Sequence, residues 1–295
     1  MTKGLGRFLL GCFGLWCFGL LWLLPVSPAW ADKAVEPLMF KAGEGAIAVI
    51  SLYETDPATQ ADAVKSFYKT TKSFYKTIPG FYGLALFSSA DGERVVELGQ
   101  WQDQASYDAF QTTLASGGAD DYTKYYEQYA SGKGKGGGPA PESASLGEPF
   151  LTASFAIDQV VSPPGMVAAI PGPAALVQIS EIATDTPAHQ ASLMAAAQTT
   201  LASLPQLYPA PRTAILLRGI DTSHIALLAN WGSSAEFSDL DQVPQLALAI
   251  PPEGAPETVT AGPDETADPL TFTTDSHLYQ TIKVITPKAE KYGKS

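Results

Sequence analysis

Cysteine occurs only at Cys12 and Cys17, within the first thirty-one residues. The chain beyond them therefore has no disulfide, no thiolate nucleophile and no cysteine-ligated metal. Histidine is nearly as scarce. His189, His224 and His277 are the only three, none sits in a His-x-His or His-Glu-x-x-His pattern, and no metal is expected. Positive charge is short as well: 18 Lys and Arg stand against 30 Asp and Glu, a net charge of −12. Such a surface repels a phosphate backbone, so nucleic acid is not an expected partner. The run "GKGKGGG" lacks both the Walker pattern and a preceding strand, and reads as part of a flexible loop over 130–148.

What is present begins with "MTKGLGR", a short basic start, and "FLLGCFGLWCFGLLWLLPV", an unbroken apolar run. "SPAWA" follows, with small residues at Ala29 and Ala31, so 1–31 reads as a secretory signal peptide cleaved after Ala31. An uncleaved anchor is the rival reading, because the run is just long enough to cross a hydrocarbon core of roughly 30 Å. Pro25, Pro28 and the Ala-Trp-Ala ending weigh for cleavage. The expected location is periplasmic or secreted, with no membrane insertion after cleavage. Loss of Lys3 and Arg7 leaves 16 basic residues against 30 acidic, a net charge of −14.

"AIAVISLY" at 46–53 is apolar on both faces, as expected of a strand covered on both sides. "TDPATQ" then offers Thr55 or Asp56 as a helix cap with Pro57 in the first turn. Val64, Phe67, Tyr68, Thr71, Phe74, Tyr75 and Ile78 recur at three-and-four spacing and predict one buried helical stripe. Pro79-Gly80 ends it. "FYGLALFSS" and "RVVELGQW" read as strands around an Asp91-Gly92 turn, and a second helix is predicted from Asp103.

The order then repeats. "ALVQISEI" stands for the first strand and "TDTPAHQ" for "TDPATQ"; Pro187, Asp221 and Trp231 follow Pro57, Asp91 and Trp101 by 130 positions. Between these anchors the offset drops to 126, pairing Pro79 with Pro205 and Tyr82 with Tyr208. That is about one helical turn, which shortens a helix without rotating its buried face. Each half closes with a further strand candidate, "LTASFAIDQVV" and "SHLYQTIKVI", after a long irregular stretch. Each therefore reads strand, helix, strand, strand, helix, loop, strand, a ferredoxin-like α+β unit. The expected organisation is a first repeat over 32–165, a linker at 166–173, a second repeat over 174–288 and a tail at 289–295.

With these residues in place, each half resembles the antibiotic biosynthesis monooxygenase (ABM) family of the dimeric α/β-barrel superfamily. The resemblance rests on the capped helix, on "PGFYGLALFSSADG", and on W-x-x-x-A-x-Y/F at Trp101, Ala105 and Tyr107 and at Trp231, Ala235 and Phe237. It implies two units packed face to face, here as a pseudo-dimer within one chain, each last strand crossing to the other unit. It also implies a cofactor-independent oxygenase acting on an aromatic or polyketide-like substrate whose own ring supplies the electrons. The haem-degrading branch carries a histidine about ten residues past the tryptophan and an asparagine on the first strand; Gln111 and Asp241 stand at the former place and "AIAVISLY" has no asparagine.

The candidate site is placed in the second half, which holds all three histidines and the more polar first strand. Gln178 and Ser180 are matched to Ala48 and Ile50, and Asn230 to Gln100. Gln178, Ser180, Asn230 and Trp231 are expected to line a cavity, with Trp101 as the first-half equivalent of Trp231 and His224 as the candidate acid or base. Asn230 and Trp231 are strand neighbours and so face opposite ways; only one can line it. Each tryptophan is equally readable as a packing anchor. The favoured function is a binding module for a small apolar or aromatic molecule or an envelope partner. Oxygenase activity is the alternative, and no cofactor is expected in either case.

Overall fold

The computed structural model describes residues 36–40, 45–115, 146–206, 209–249 and 270–287. The expected signal peptide, the tyrosine-rich stretch 122–129, the glycine- and lysine-rich run, the acidic proline-rich stretch 250–269, Tyr208 and the basic tail lie outside these residues.

A short strand β1 (Leu38–Met39) precedes β2 (Ile47–Glu54). Asp56 then holds the Ala58 N–H on its carboxylate at 2.7 Å and the Gln60 N–H on its carbonyl at 2.9 Å, which turns the chain into helix α1 (Gln60–Tyr75). Gly80, at φ +75°, supplies the left-handed residue that follows Pro79. β3 (Phe81–Ser89) and β4 (Arg94–Trp101) form the expected hairpin. The Asp103 carboxylate accepts the Ser106 N–H at 2.7 Å and starts α2 (Gln104–Ala115), after which comes β5 (Leu151–Val161).

The second half runs through β6 (Ala169–Ile170), β7 (Ala175–Thr184), α3 (Pro187–Ser203), β8 (Thr213–Gly219), β9 (Ile225–Ser233) and β10 (Phe272–Ile285). Thr186 caps α3 by accepting the His189 N–H at 3.1 Å, with Pro187 at the first position. The helix expected after Trp231 is replaced by two single 3₁₀ turns, Ser234–Glu236 and Leu240–Gln242. Ser233 and Asp239 each cap their own turn, so the segment restarts instead of propagating, and Pro244 bars continuation.

Eight strands close into one antiparallel barrel in the order β10-β3-β4-β2-β5-β8-β9-β7. Each half contributes four neighbouring strands, in the order second, third, first, fourth. Two seams join the halves: β5 pairs β8 from Phe155↔Gly219 to Val161↔Ala214, and β10 pairs β3 from Tyr279↔Ser89 to Ile285↔Leu84. Alternate residues fill the interior, among them Ile50, Phe87, Leu98, Phe155, Ile179 and Leu228. The β1–β6 pair adds Leu38 and Ile170 to the same cluster. The opposite face of each strand packs outward, under α1 and α2 in the first half and α3 in the second. Cavities lie between sheet and outer layer in both halves, and another opens beside β1, lined by Met39, Ala46, Tyr82 and Gln100.

The register corrects one alignment. Ser51 faces Glu97 and Val49 faces Gly99, whereas Ser180 faces Leu227 and Gln178 faces Ala229. Since Glu97 and Leu227 are the 130-residue pair, Ser180 is the counterpart of Ser51 and Gln178 of Val49, not of Ile50 and Ala48. The displaced residue is Thr186. It lies between the Thr-Asp shared by both turns and the proline, so the strand offset is one less than the helix offset.

Candidate functional site

β4 points Val95, Glu97, Gly99 and Trp101 away from the barrel interior, and β2 points Val49, Ser51 and Tyr53 the same way. Over these strands, α1 and α2 leave a cavity of about 320 Å³. Glu97 lies on its floor, only 9% exposed. The Tyr75 hydroxyl donates to Glu97 Oε1 at 2.6 Å and the Tyr53 hydroxyl to Oε2 at 3.0 Å. Beside them Ser51 and Thr152 share a hydroxyl–hydroxyl hydrogen bond of 3.1 Å.

The walls are aromatic. Trp101 stacks on Phe110 at 4.9 Å between ring centres and meets Tyr107 edge-on at 5.4 Å. Phe81 supports the indole from below at 5.5 Å. Gly99 makes room for this arrangement: a Cβ there would lie 3.2 Å from the Trp101 indole nitrogen. Trp101 thus both anchors packing and lines the cavity.

Among the described lining residues none is Lys, Arg or His. Burial pushes the Glu97 carboxyl above its ordinary range, and the hydrogen bonds from Tyr75 and Tyr53 draw it only part of the way back. Burial, and next the charge of Glu97, push the Tyr107 hydroxyl up, while Gln111 hydrogen-bonds to it. The result is a carboxyl group that holds its proton more tightly than an exposed one, facing a slot walled by aromatic rings. No group of three or more His, Cys, Asp or Glu that could hold a metal occurs among the described residues.

The residues expected from the sequence are divided between faces. Gln178 and Ser180 do line a cavity together, of about 250 Å³, on the outer face of β7. Asn230 does not join them. It lies on the opposite face of β9, donating to the Ala169 carbonyl at 3.3 Å and accepting the Gly232 N–H at 3.0 Å, where it holds β6 in place. Trp231 packs in the second-half outer core without lining that cavity. His224 is paired with Glu181 at 2.7 Å just before β9 and lines neither cavity. The expected convergence of Gln178, Ser180 and Asn230 fails because Asn230 has interior parity.

Glu97 was the residue that sequence reasoning passed over. Its signal was a carboxylate in "RVVELGQW", a strand otherwise free of acidic residues, at a position where the second half has Leu227.

No family model matches the chain, and no curated protein matches it. Among solved structures, an anthrone oxidase-like protein superposes with a TM-score of 0.54 at 14% identity, over 87% of this chain and 99% of its own. The likeness is one of fold, and it agrees with the dimeric α/β barrel that the sequence resemblance implies. A monooxygenase from the gene ActVA-Orf6 of Streptomyces coelicolor, in complex with nanaomycin D, is also similar, at 22% identity over 40% of this chain and 92% of its own, with a TM-score of 0.28.

Proposed function

We propose that this chain is an exported, cofactor-independent oxygenase of a neutral aromatic substrate, built as two ABM-like units fused into an intramolecular pseudo-dimer, with Glu97 as the proton acceptor. The observation that carries the reading is Glu97 itself: a buried carboxyl of raised pKa, oriented by two tyrosines on the floor of an aromatic slot. Fusion is supported by the identical strand order of the halves and by their two reciprocal seams.

The chemistry asks little of the protein beyond proton transfer and placement. Glu97 removes a proton from an activated C–H or O–H, and the electron-rich ring that results reduces dioxygen directly. For a methylene flanked by aromatic rings the balance closes: CH₂ and O₂ give C=O and water, one oxygen atom entering each product. Trp101 and Phe110 hold the ring by stacking, and the hydroxyls of Ser51 and Thr152 can bond its oxygen substituents. The neighbour described as anthrone oxidase-like guides the choice of anthrone-type ketones as first substrates.

The test is oxygen consumption with anthrone-type and hydroxyaromatic compounds. The wild type should take up one O₂ per substrate, and Glu97→Gln should lower kcat by about 10²- to 10⁴-fold, the span of general-base contributions. Binding without oxygen uptake by the wild type would instead establish the non-catalytic module.

A further inference from the structure

The second cavity lies over β7, β9 and β10, the strands that correspond to β2, β4 and β5 beneath Glu97. It is therefore the positional twin of the first cavity, with a different chemistry. Leu227 stands for Glu97 and Ile182 for Tyr53. The hydroxyl pair persists: Ser180 and Ser276 are 2.7 Å apart, where the first half has Ser51 and Thr152.

Gln178 completes the polar floor and also builds a wall. Its amide nitrogen donates to Ser180 at 3.0 Å and to Ser276 at 3.1 Å. The same amide clasps the backbone of Leu246, donating to its carbonyl at 2.8 Å and accepting its N–H at 2.7 Å. This fixes Leu246 and Leu248 opposite Ile182, Leu227 and Phe272 as apolar sides. None of the described lining residues carries a charge.

We propose that this cavity is a second binding site, taking an uncharged, hydrocarbon-rich molecule with one hydroxyl or carbonyl group seated on the Ser180–Ser276 pair. Serine hydroxyls turn to donate or accept, so either group is satisfied there. An ion would lose its hydration with no opposite charge to replace it. None of the described lining residues is a carboxylate or a histidine, so the site is assigned binding alone. The inference does not depend on the reading of Glu97.

The probe is 1-decanol, neutral and with no ring for the aromatic slot to stack on, titrated into the full chain by calorimetry beside decanoate. Wild type and Glu97→Gln should bind it alike, and at least tenfold more tightly than decanoate. Leu227→Trp, which fills the cavity, should weaken this binding at least tenfold while leaving oxygen uptake intact. Ser276→Phe fills the cavity from an exposed strand position and serves if Leu227→Trp does not fold. Undiminished 1-decanol binding in the filled variant, or equal affinity for decanoate, overturns the proposal. Loss of oxygen uptake in Glu97→Gln alone bears only on the first cavity, so the two readings fail separately.

Discussion

Glu97→Gln keeps the volume of the side chain and removes its charge. The glutamine Oε1 can still accept from one tyrosine, and its Nε2 donates to the other, whose hydroxyl turns to accept. Two charge-assisted bonds, worth roughly 1.5–3 kcal/mol each, become neutral bonds of about 1 kcal/mol, and the cost of burying an anion disappears. The balance depends on pH. Burial raises the carboxyl above its reference value of 4.5, so between that value and the folded-state pKa the folded chain holds more protons than the unfolded one. Wild-type stability from this group is fully present below pH 4.5 and falls as pH rises through the window, by at most about 1.4 kcal/mol per pH unit. Glutamine does not titrate. The variant should therefore match the wild type near pH 4 and exceed it at pH 8, with Tm moving the same way. Urea and thermal unfolding at both pH values measure it. A stability difference that is the same at pH 4 and pH 8 would refute the assignment of a raised pKa, whatever happens to activity.

Gly99→Ala should push the Trp101 ring by a few tenths of an ångström, narrowing the slot; KM for a tricyclic substrate should rise several-fold with a stability loss of about 1 kcal/mol, read by steady-state kinetics and urea unfolding. Gln178→Ala removes both bonds to Leu246 and should cost about 1–3 kcal/mol, with faster hydrogen exchange at the Leu246 amide; protection equal to wild type would show that something else holds that segment. Tyr279 is pushed up to about 12, by burial in the first place and against the pull of Arg94, so the difference in ultraviolet titration between wild type and Tyr279→Phe should show no ionisation near pH 10. Protein recovered from its natural host should begin at Asp32 by mass spectrometry, and an intact Met1 in a cytosolic fraction would remove the export assignment.

Fold could be read from the sequence further than site because the two depend on different scales of pattern. "AIAVISLY" must be a strand covered on both sides whatever its partners, and Pro187 fixes where α3 begins, whereas Pro57 stands in the turn before α1. Pairing the strands one by one is finer. The single residue Thr186 displaces the strand offset from the helix offset, and a displacement of one in a strand exchanges its faces. That is how Gln178 and Ser180 came to be matched with the interior residues Ala48 and Ile50. The second 3₁₀ turn was also within reach, since Ser233, Asp239 and Pro244 are all poor helix-interior residues. What no pattern announces is that an amide side chain, Gln178, ties down a loop 68 positions away.

The two halves also provide a comparison within one molecule. Glu97 on β4 and Leu227 on β9 occupy equivalent positions, both facing outward from one barrel. The second half packs that position with leucine, so the fold does not demand a carboxylate there. A buried acid lowers stability wherever it must ionise, and neither of its tyrosine partners is a cation that would offset the charge. Tyr53 belongs with it as a partner, since its counterpart is Ile182, which cannot hydrogen-bond. The first half therefore carries an acid and a hydroxyl donor that the architecture manages without, in a cavity walled by Trp101, Tyr107 and Phe110. A residue kept against its structural cost, together with the groups that orient it, is better accounted for by what it does to a bound molecule than by what it does for the barrel. If that is so, Glu97→Leu with Tyr53→Ile, the second half's own solution, should give a chain at least as stable as the wild type at pH 8 and without oxygen uptake; a double variant that unfolds would return Glu97 to a structural role.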